Sequence, residues 1–496
     1  MTTADPARWR QAKLTFEPQM SDAEALMWNI EKDPWMNPSG AVVTVLDRHI
    51  DPELFRQRLR WAVAEVPRLR ERVVPSVGRL APPRWQTDPE FDFDYHVRHI
   101  SLPSPGSQRQ LLDLAMKFYE DPYDRTRPLW MFVLIEGLED GRGAMFSKMH
   151  HTITDGIGAV YLAEFYMEPE RNTEAPPSVD LAQIIADAVE AEADSSPDED
   201  GHEDESQVAS QVRSVGDSIG HLVRRQAGFT RRLLGEAAMW GADPVRPFEQ
   251  AQSLIETVQG SLDEMFGRDQ DDSGGSPLWK NRSRNRHLEV ASVPLDEALA
   301  ASRRMGGKLN DLLLAVIAEA ARSYHQREGA EMDLLNASFV ISTRSSSGVG
   351  GNSFTPTRVQ LPTSKMSFKK RFSAIHDMVA EKKEAMGGGS GALSNLATVA
   401  SRLPTSVVAP MARQQSASID VATSNFPAAP FAVYMSGAQL MENYPIGPLA
   451  GTACNVTAMS YDGVLWLGIT TDPAAVGDPV GWRDDIDAAM AAAVAT

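Results

Sequence analysis

One acidic segment divides the chain into two parts that must each build their own packed structure. The run EAEADSSPDEDGHEDESQ, Glu190 to Gln207, is dense in Asp and Glu and almost free of large apolar residues. Such a segment cannot bury enough apolar surface to offset the entropy lost on ordering it. We predict a disordered acidic insert with no function of its own, so that the fold comes from the sequence on either side.

Composition sets limits on the class of protein. The chain has 496 residues and 42% hydrophobic residues, enough for more than one domain and a sizeable core. Its net charge of -19 disfavours broad nucleic-acid binding, because neutralising phosphates requires a basic face. The one cysteine, Cys454, cannot form an intramolecular disulfide, which fits a reducing cytoplasmic setting.

Membrane insertion is not expected. The first residues, MTTADPARWRQAKLTF, carry charges early and contain no apolar run, unlike a secretory signal. No stretch approaches the ~20 apolar residues of a membrane-spanning helix. Any contact with a membrane is therefore predicted to be peripheral.

Local patterns in the first part predict mixed helix and strand. A helix is predicted from Asp51, with that residue as N-cap and Pro52 in the first turn. The apolar run WMFVLIEGL, residues 130–138, predicts a buried strand, and AMFSKMH, residues 144–150, predicts a second strand pairing back to it. The apolar residues after Gly156 predict another helix.

The second part has the same character after a long connection. Residues 208–240 predict a basic amphipathic helix, whose arginines fit either a membrane surface or solvent over a packed helix. A helix is predicted over 308–325 with Asn310 as its N-cap, and strands over 337–344 and 464–472. We predict an α/β (α+β) protein with a first domain at 1–170, a connecting region at 171–280 and a second domain at 281–496.

The stretch KMHHTITDGIGAV, residues 148–160, carries the densest cluster of chemical groups. A metal site is disfavoured, because adjacent histidines on a strand point to opposite faces and no supporting Cys/His cluster exists. Two interpretations remain. Either His150 and His151 are buried structural groups, or one of them is a general base on a strand-to-helix connection. Gly156 is predicted to allow a tight turn there.

The same residues resemble a known family. HHxxxDG resembles the signature of CoA-dependent acyltransferases, and the run from Asp121 through Pro128-Leu129-Trp130 to Gly156 resembles bacterial wax ester synthases/diacylglycerol acyltransferases. Four later segments resemble further blocks of that family in the same order: NDLLLAVIA, ISTRSSSGVGGNSF, TSNFPAAPFAVYMSGAQL, and YPIGPLAGTACNVTAMSYDGVLWLGITTD. The likeness spans the chain except roughly residues 170 to 280.

The resemblance implies a role for each matching residue. His151 would be the general base, and His150 a neighbour that supports its geometry. Asp155 would be structural and would pair with an arginine of the other domain, for which Arg344 is the candidate, while Gly156 would carry the turn. The family motifs also match four candidate supporting residues of the site: Asn310, Asp311, Ser424 and Asn425.

The resemblance also implies a fold and a reaction. The fold would be two chloramphenicol-acetyltransferase-like domains with an active-site tunnel at their interface. The reaction would esterify a diacylglycerol or long-chain alcohol with acyl-CoA as co-substrate, without a bound cofactor, metal or covalent acyl-enzyme. The protein would lie in the cytoplasm, peripherally attached to the inner face of the membrane or to lipid bodies.

Two departures and two alternative functions accompany this interpretation. The chain has Pro427-Ala428-Ala429 where the family has Pro-Gly-Pro, and MSDAEALMW where it has Ser-Pro-x-Asp. The alternative functions are a carrier-linked, condensation-type acyltransferase and a non-catalytic lipid-binding or lipid-body protein. The sequence does not decide between diacylglycerol and fatty alcohol as acceptor.

Overall fold

The computed structural model describes residues 14–76, 81–194, 274–342, 354–387, 401 and 405–495. The acidic insert beyond Asp194, the basic stretch at 208–240 and Arg344 lie outside these ranges, so the predictions for them stay predictions.

The first half alternates helices and strands. Its helices are α1 (Asp22–Ile30), α2 (Pro52–Glu65), α3 (Phe93–His96), α4 (Gln108–Glu120), α5 (Gly156–Ala163) and α6 (Leu181–Asp194), with short 3-10 turns at Pro67–Leu69 and Glu139–Gly141. Its strands are β1 (Ser39–Leu46), β2 (Glu71–Val74), β3 (Arg84–Thr87), β4 (Val97–Ser101), β5 (Trp130–Glu136) and β6 (Gly143–His150).

The second half is built in the same way. Its helices are α7 (Leu295–Arg304), α8 (Leu309–Arg327), α9 (Phe368–Gly387), α10 (Thr405–Ala417) and α11 (Pro479–Ala495). Its strands are β7 (His287–Pro294), β8 (Leu334–Ser342), β9 (Phe354–Pro362), β10 (Val421–Pro427), β11 (Tyr434–Met435), β12 (Ala438–Ile446), β13 (Cys454–Tyr461) and β14 (Val464–Thr471).

Local sequence signals account for several of these elements. Asp51 caps α2 by accepting a hydrogen bond from the Glu53 main chain at 2.9 Å, and Pro52 is the first helical residue, as predicted. The β5 and β6 pair is antiparallel, also as predicted. Six of the seven β5 residues are buried, which is typical of a strand covered on both faces.

Two six-stranded sheets form the body of the molecule. The first has the order β11-β12-β1-β6-β5-β4 and the second the order β7-β14-β13-β10-β8-β9. β2 and β3 form a separate two-stranded sheet. Each large sheet has its own buried apolar cluster, which confirms the predicted mixed α/β class with two halves.

The two halves exchange structure. β11 and β12 come from the second half of the sequence, yet β12 pairs antiparallel with β1 in the first sheet. The predicted domains, which divide the chain after residues 170 and 280, do not account for this crossover. The sheets also approach closely at Gly468, where an added Cβ would lie 1.6 Å from the Pro445 carbonyl oxygen.

Two local predictions were wrong. Residues 190–194, predicted to begin the disordered insert, complete α6, where Glu192 accepts hydrogen bonds from the main chain and hydroxyl of Thr87. Asn310 does not cap α8, because the helix begins at Leu309 with Lys308 as its N-cap.

Among the described residues, no helix has the length and apolar character needed to cross a membrane.

Candidate active site

The site is built on the end of β6. Ser39 at the start of β1 pairs with His150, the last residue of β6. The main-chain N–H of His150 donates to Leu129 O at 3.0 Å, and that of His151 donates to Pro38 O at 2.9 Å. Both histidines are therefore held by strand-like hydrogen bonds immediately before the chain turns into α5.

His150 is a fully buried structural group. Its Nδ1 accepts the main-chain N–H of Thr152 at 3.0 Å and lies 2.7 Å from the Thr152 hydroxyl. An acceptor at Nδ1 places the proton of the neutral ring on Nε2. That nitrogen lies 3.3 Å from Oε2 of Glu31, the C-cap residue of α1.

Glu31 ties His150 to the surrounding shell. Its Oε2 accepts a hydrogen bond from Arg125 at 2.7 Å. Burial alone would raise the pKa of Glu31, but His150, Arg125 and Lys148 outweigh burial and hold that pKa below its usual value. A charged carboxylate thus anchors the imidazole of His150 through its Nε2.

His151 has different surroundings. Its side chain is partly exposed, and it lies against Gly40 of β1. A Cβ on Gly40 would be 3.7 Å from Nε2 and 3.9 Å from Cε1 of His151. Because residue 40 is glycine, no side chain from this position of β1 covers Nε2.

The environment keeps His151 neutral. The pKa of His151 is lowered to about 4, chiefly by burial and also by the neighbouring His150, while Asp155 and a hydrogen bond with the Thr154 main chain oppose the shift. At neutral pH the imidazole is therefore unprotonated, as a general base must be before it accepts a proton.

Asp155 is a buried helix cap. Its Oδ1 accepts the main-chain N–H of Gly158 at 2.9 Å, so the residue fixes where α5 begins. Its charge also acts on the nearby imidazole of His151. The predicted partner, Arg344, lies outside the described residues, and the pairing stays a prediction.

Gly156 lies in close contact with the second half of the molecule. It is the first residue of α5 and does not adopt a left-handed φ, and its role in the turn stays a prediction. A Cβ at this position would lie 3.1 Å from Cδ1 of Phe426 on β10. The missing side chain lets the start of α5 contact the second half of the molecule.

The second half contributes uncharged polar groups to this junction. Asn425 precedes Phe426 on β10, and its Nδ2 donates to Asn310 Oδ1 at 2.9 Å. The Ser424 hydroxyl donates to Thr457 Oγ1 at 3.2 Å. The structure thus joins two of the candidate residues, Asn310 and Asn425, by a direct hydrogen bond.

Asp311 has a structural position. It is buried, and its Oδ2 accepts the main-chain N–H of Lys308 and a hydrogen bond from His376 Nδ1, both at 2.8 Å. The carboxylate therefore starts α8 and ties it to α9. Asn310, one residue earlier, contacts β10 through its hydrogen bond with Asn425.

Sequence reasoning missed three residues of the site. Glu31 belongs to the helix before β1, Gly40 to the adjacent strand, and Phe426 to the opposite half, so none is near the histidines in sequence. In the described part of the chain, no group of three His, Cys, Asp or Glu side chains could hold a metal ion.

Comparisons with known proteins agree with this geometry. The family model described as "Wax ester synthase/diacylglycerol acyltransferase catalytic domain" matches residues 20–313, and the C-terminal domain of the same family matches residues 350–492. A Mycobacterium tuberculosis protein assigned by name to the diacylglycerol O-acyltransferases is 29% identical over 465 residues, covering 92% of this chain and 89% of that protein.

Solved structures show the same fold. The wax ester synthase/diacylglycerol acyltransferase from Marinobacter aquaeolei VT8 superposes with a TM-score of 0.60 at 20% identity, covering 96% of this chain and 98% of that chain. A mutant starter condensation domain of rhizomide synthetase, solved in complex with C8-CoA, has a TM-score of 0.52 at 14% identity and covers 96% and 94% of the two chains. The chain belongs to the wax ester synthase/diacylglycerol acyltransferase family and is an acyltransferase.

Proposed function

We propose that His151 is the general base of an acyl transfer from long-chain acyl-CoA to a lipid hydroxyl. The observation that carries this proposal is the position of a neutral, half-buried imidazole at the end of β6, whose Nε2 lies beside Gly40 and is not covered by a side chain from that residue. His150, by contrast, is enclosed by Thr152 and Glu31. The pair thus divides into one supporting and one reacting residue.

The reaction needs one proton acceptor and no covalent enzyme intermediate. As the acceptor oxygen attacks the thioester carbonyl, Nε2 of His151 takes the hydroxyl proton. The tetrahedral intermediate then collapses, the C–S bond breaks, and the departing CoA sulfur takes the proton from the imidazolium. The products are an ester and free CoA, and the base returns to its neutral form.

Groups of the second half support the reacting centre in this proposal. Ser424 and Asn425 lie on the strand whose next residue, Phe426, contacts the start of α5. The Asn425 amide has a second N–H besides the one donated to Asn310, and a neutral donor of this kind suits a developing oxyanion because it stabilises negative charge without changing its own protonation state, while Ser424 holds β10 to Thr457. The acceptor is a diacylglycerol or a long-chain alcohol.

Cofactor use and location follow from the chemistry. The mechanism uses acyl-CoA as a co-substrate and needs neither a metal nor a bound cofactor. Both acceptors and the ester product are insoluble in water, which supports peripheral attachment of the protein to the inner face of the membrane or to lipid bodies.

The test is release of free CoA from palmitoyl-CoA, read with a thiol reagent. Wild type and His151→Ala are compared with hexadecanol, with dioleoylglycerol and with no acceptor. We expect release that depends on an acceptor and falls by about 10²–10⁴-fold in the variant. The ratio between acceptors ranks wax ester against triacylglycerol synthesis.

A matched control separates catalysis from a general effect of losing a histidine. His99 is exposed on β4 and its Nε2 pairs with Glu136 at 3.0 Å, so His99→Ala should keep wild-type rates. Folded protein without acceptor-dependent release would reject the proposal and favour a carrier-linked or non-catalytic role. Equal loss in both variants would reject His151 as the base.

A further inference from the structure

A cleft lined by charged and apolar side chains lies where the two halves meet, outside the groups that surround the histidines. Its volume is about 500 Å³. One wall is the loop after α1, including Lys32 and Trp35, and the other walls are Arg284 and the face of α10 that carries Arg413. No sequence motif pointed to it, because its walls come from three distant segments.

The cleft concentrates positive charge on an acidic protein. The exposed side chains of Lys32, Arg284 and Arg413 line it, whereas the whole chain carries a net charge of -19. Asp33 also lines the cleft, but its Oδ1 accepts the main-chain N–H of Trp35 at 3.0 Å. The carboxylate of Asp33 offsets one of these three positive charges, and the exposed guanidinium groups of Arg284 and Arg413 can bind an external anion.

An aromatic surface accompanies the charges. The Arg413 guanidinium lies 4.1 Å from the centre of the Trp35 ring, a cation–π contact. The half-buried indole and this guanidinium thus form one stacked pair in the wall of the cleft. A ligand that joins phosphate groups to a planar ring would use both features at once.

The cleft is close to the reacting histidine along the chain. Trp35 is three residues before Pro38, whose carbonyl accepts the main-chain N–H of His151. Three residues span at most about 11 Å even when fully extended. A flexible arm attached to a ligand in the cleft could therefore reach the space beside His151.

We propose that this cleft binds the phosphorylated adenosine end of acyl-CoA, which places the thioester toward His151. This rests on the proposed function for the identity of the ligand. The phosphates would contact Arg284, Arg413 and Lys32, and the adenine ring would pack against the stacked pair of Trp35 and Arg413. The cleft would then determine affinity for CoA thioesters without taking part in the chemistry.

Calorimetric titration of CoA into the full chain tests the site directly. Charge reversal in Arg413→Glu or Arg284→Glu should weaken CoA binding about tenfold or more, since each replaces a phosphate contact by repulsion. Arg303→Glu on α7 makes the same charge change on an exposed residue away from the cleft and should leave affinity unchanged. Inorganic phosphate is titrated in parallel and should bind far more weakly than CoA.

Two outcomes would overturn the proposal. One is wild-type CoA affinity in both cleft variants, and the other is equal affinity of the wild type for inorganic phosphate and CoA, which indicates a simple anion site. Steady-state rates separate this proposal from the proposed function. With palmitoyl-CoA, the cleft variants should raise KM about tenfold and keep kcat, while palmitoyl-pantetheine, which lacks the nucleotide, should give wild-type values.

If acyl transfer occurs but KM for palmitoyl-CoA is unchanged in both variants, the cleft assignment fails and the function stands. If no acyl transfer occurs but CoA binding depends on Arg413 and Arg284, the function fails and the cleft assignment stands.

Discussion

The two halves of the molecule contribute different chemistry to their junction. The first half contributes titratable groups: His151 at the end of β6, His150 behind it, and the charged Glu31 that anchors His150. The second half contributes β10, where the uncharged Ser424 and Asn425 precede Phe426, the residue that lies against Gly156 at the start of α5. The proposed proton transfer therefore involves a residue of the first half alone.

This difference indicates how each half tolerates change. A general base depends on its protonation state and on open space at one atom, so small changes around His151 should have large effects. Neutral donors depend on direction and are held by one or two hydrogen bonds each, so their loss should have moderate effects. The variants described next test this contrast, in order of decreasing expected effect on activity.

The largest effect should separate the two adjacent histidines. His151→Ala should lower kcat by about 10²–10⁴-fold with little change in stability, because its side chain is partly exposed. His150→Ala should instead lower the free energy of unfolding by about 2–3 kcal/mol, since it leaves a cavity and removes the acceptor of the buried Thr152 N–H. The kcat values and the denaturant midpoints of both variants measure this difference between loss of activity and loss of stability.

Interchanged results would contradict the assignment of roles. If His150→Ala kept full stability and lost all activity while His151→Ala stayed active, the reacting group would be His150. Thr152→Val offers a milder probe, because it removes only the hydroxyl beside His150 Nδ1 and should lower stability more than kcat.

The second prediction concerns space at the base. Gly40→Ala places a methyl group 3.7 Å from His151 Nε2, which packs without a clash but fills the position of a reacting hydroxyl. We expect kcat/KM to fall for Gly40→Ala and to fall further, by about 10²-fold, for Gly40→Val. Val is favoured in strands, so β1 should remain folded.

Gly477→Ala is the matched control for Gly40. A Cβ at Gly477 meets nothing within 4 Å, so this variant should retain wild-type activity and stability. Wild-type kcat/KM in Gly40→Val would show that the hydroxyl approaches His151 from another side.

The third prediction tests the hydrogen bond between Asn310 and Asn425. Loss of this 2.9 Å bond should lower kcat/KM about tenfold in Asn310→Ala or Asn425→Ala, corresponding to about 1.4 kcal/mol. The double variant should resemble the single variants, because each removes the same interaction. Fully additive losses would show that the two amides act independently.

Much of the first half could be predicted because its signals are local. The cap at Asp51, the apolar run of β5 and the pairing of β6 each depend on neighbouring residues in sequence. His151 could be identified as a candidate residue for the same reason, since the family motif is a contiguous run of sequence. The cap assigned to Asn310 was wrong because Asp311, in the first turn, accepts the hydrogen bond that starts α8.

The parts that could not be predicted depend on long-range packing. Nothing near Gly40 in sequence indicates that it faces an imidazole from another strand, and Phe426 shows no sign of contacting Gly156. The crossover of β12 into the first sheet likewise depends on pairing with β1 across about four hundred residues of sequence. Contacts of this kind follow from the assembled fold.

The smallest expected effect is a shift in the pH profile. Burial lowers the pKa of His151 to about 4, so the base remains deprotonated as pH falls through 6.5, where an exposed histidine would gain a proton. We expect kcat/KM for palmitoyl-CoA and hexadecanol to hold its neutral-pH value well below pH 6.5 and to halve near pH 4. Circular dichroism at each pH verifies that the protein stays folded.

Asp155→Asn tests what sets that limit. Asparagine is as good an N-cap as aspartate, so α5 should persist, while the carboxylate charge that raises the pKa of His151 is lost. The acid limb of the profile should therefore move to lower pH, with little change in the plateau. A limb that moves to higher pH would mean that Asp155 acts on His151 mainly through geometry. A limb near pH 6.5 in the wild type would mean that the base is solvated, and that catalysis takes place in a more open site than the one His151 occupies.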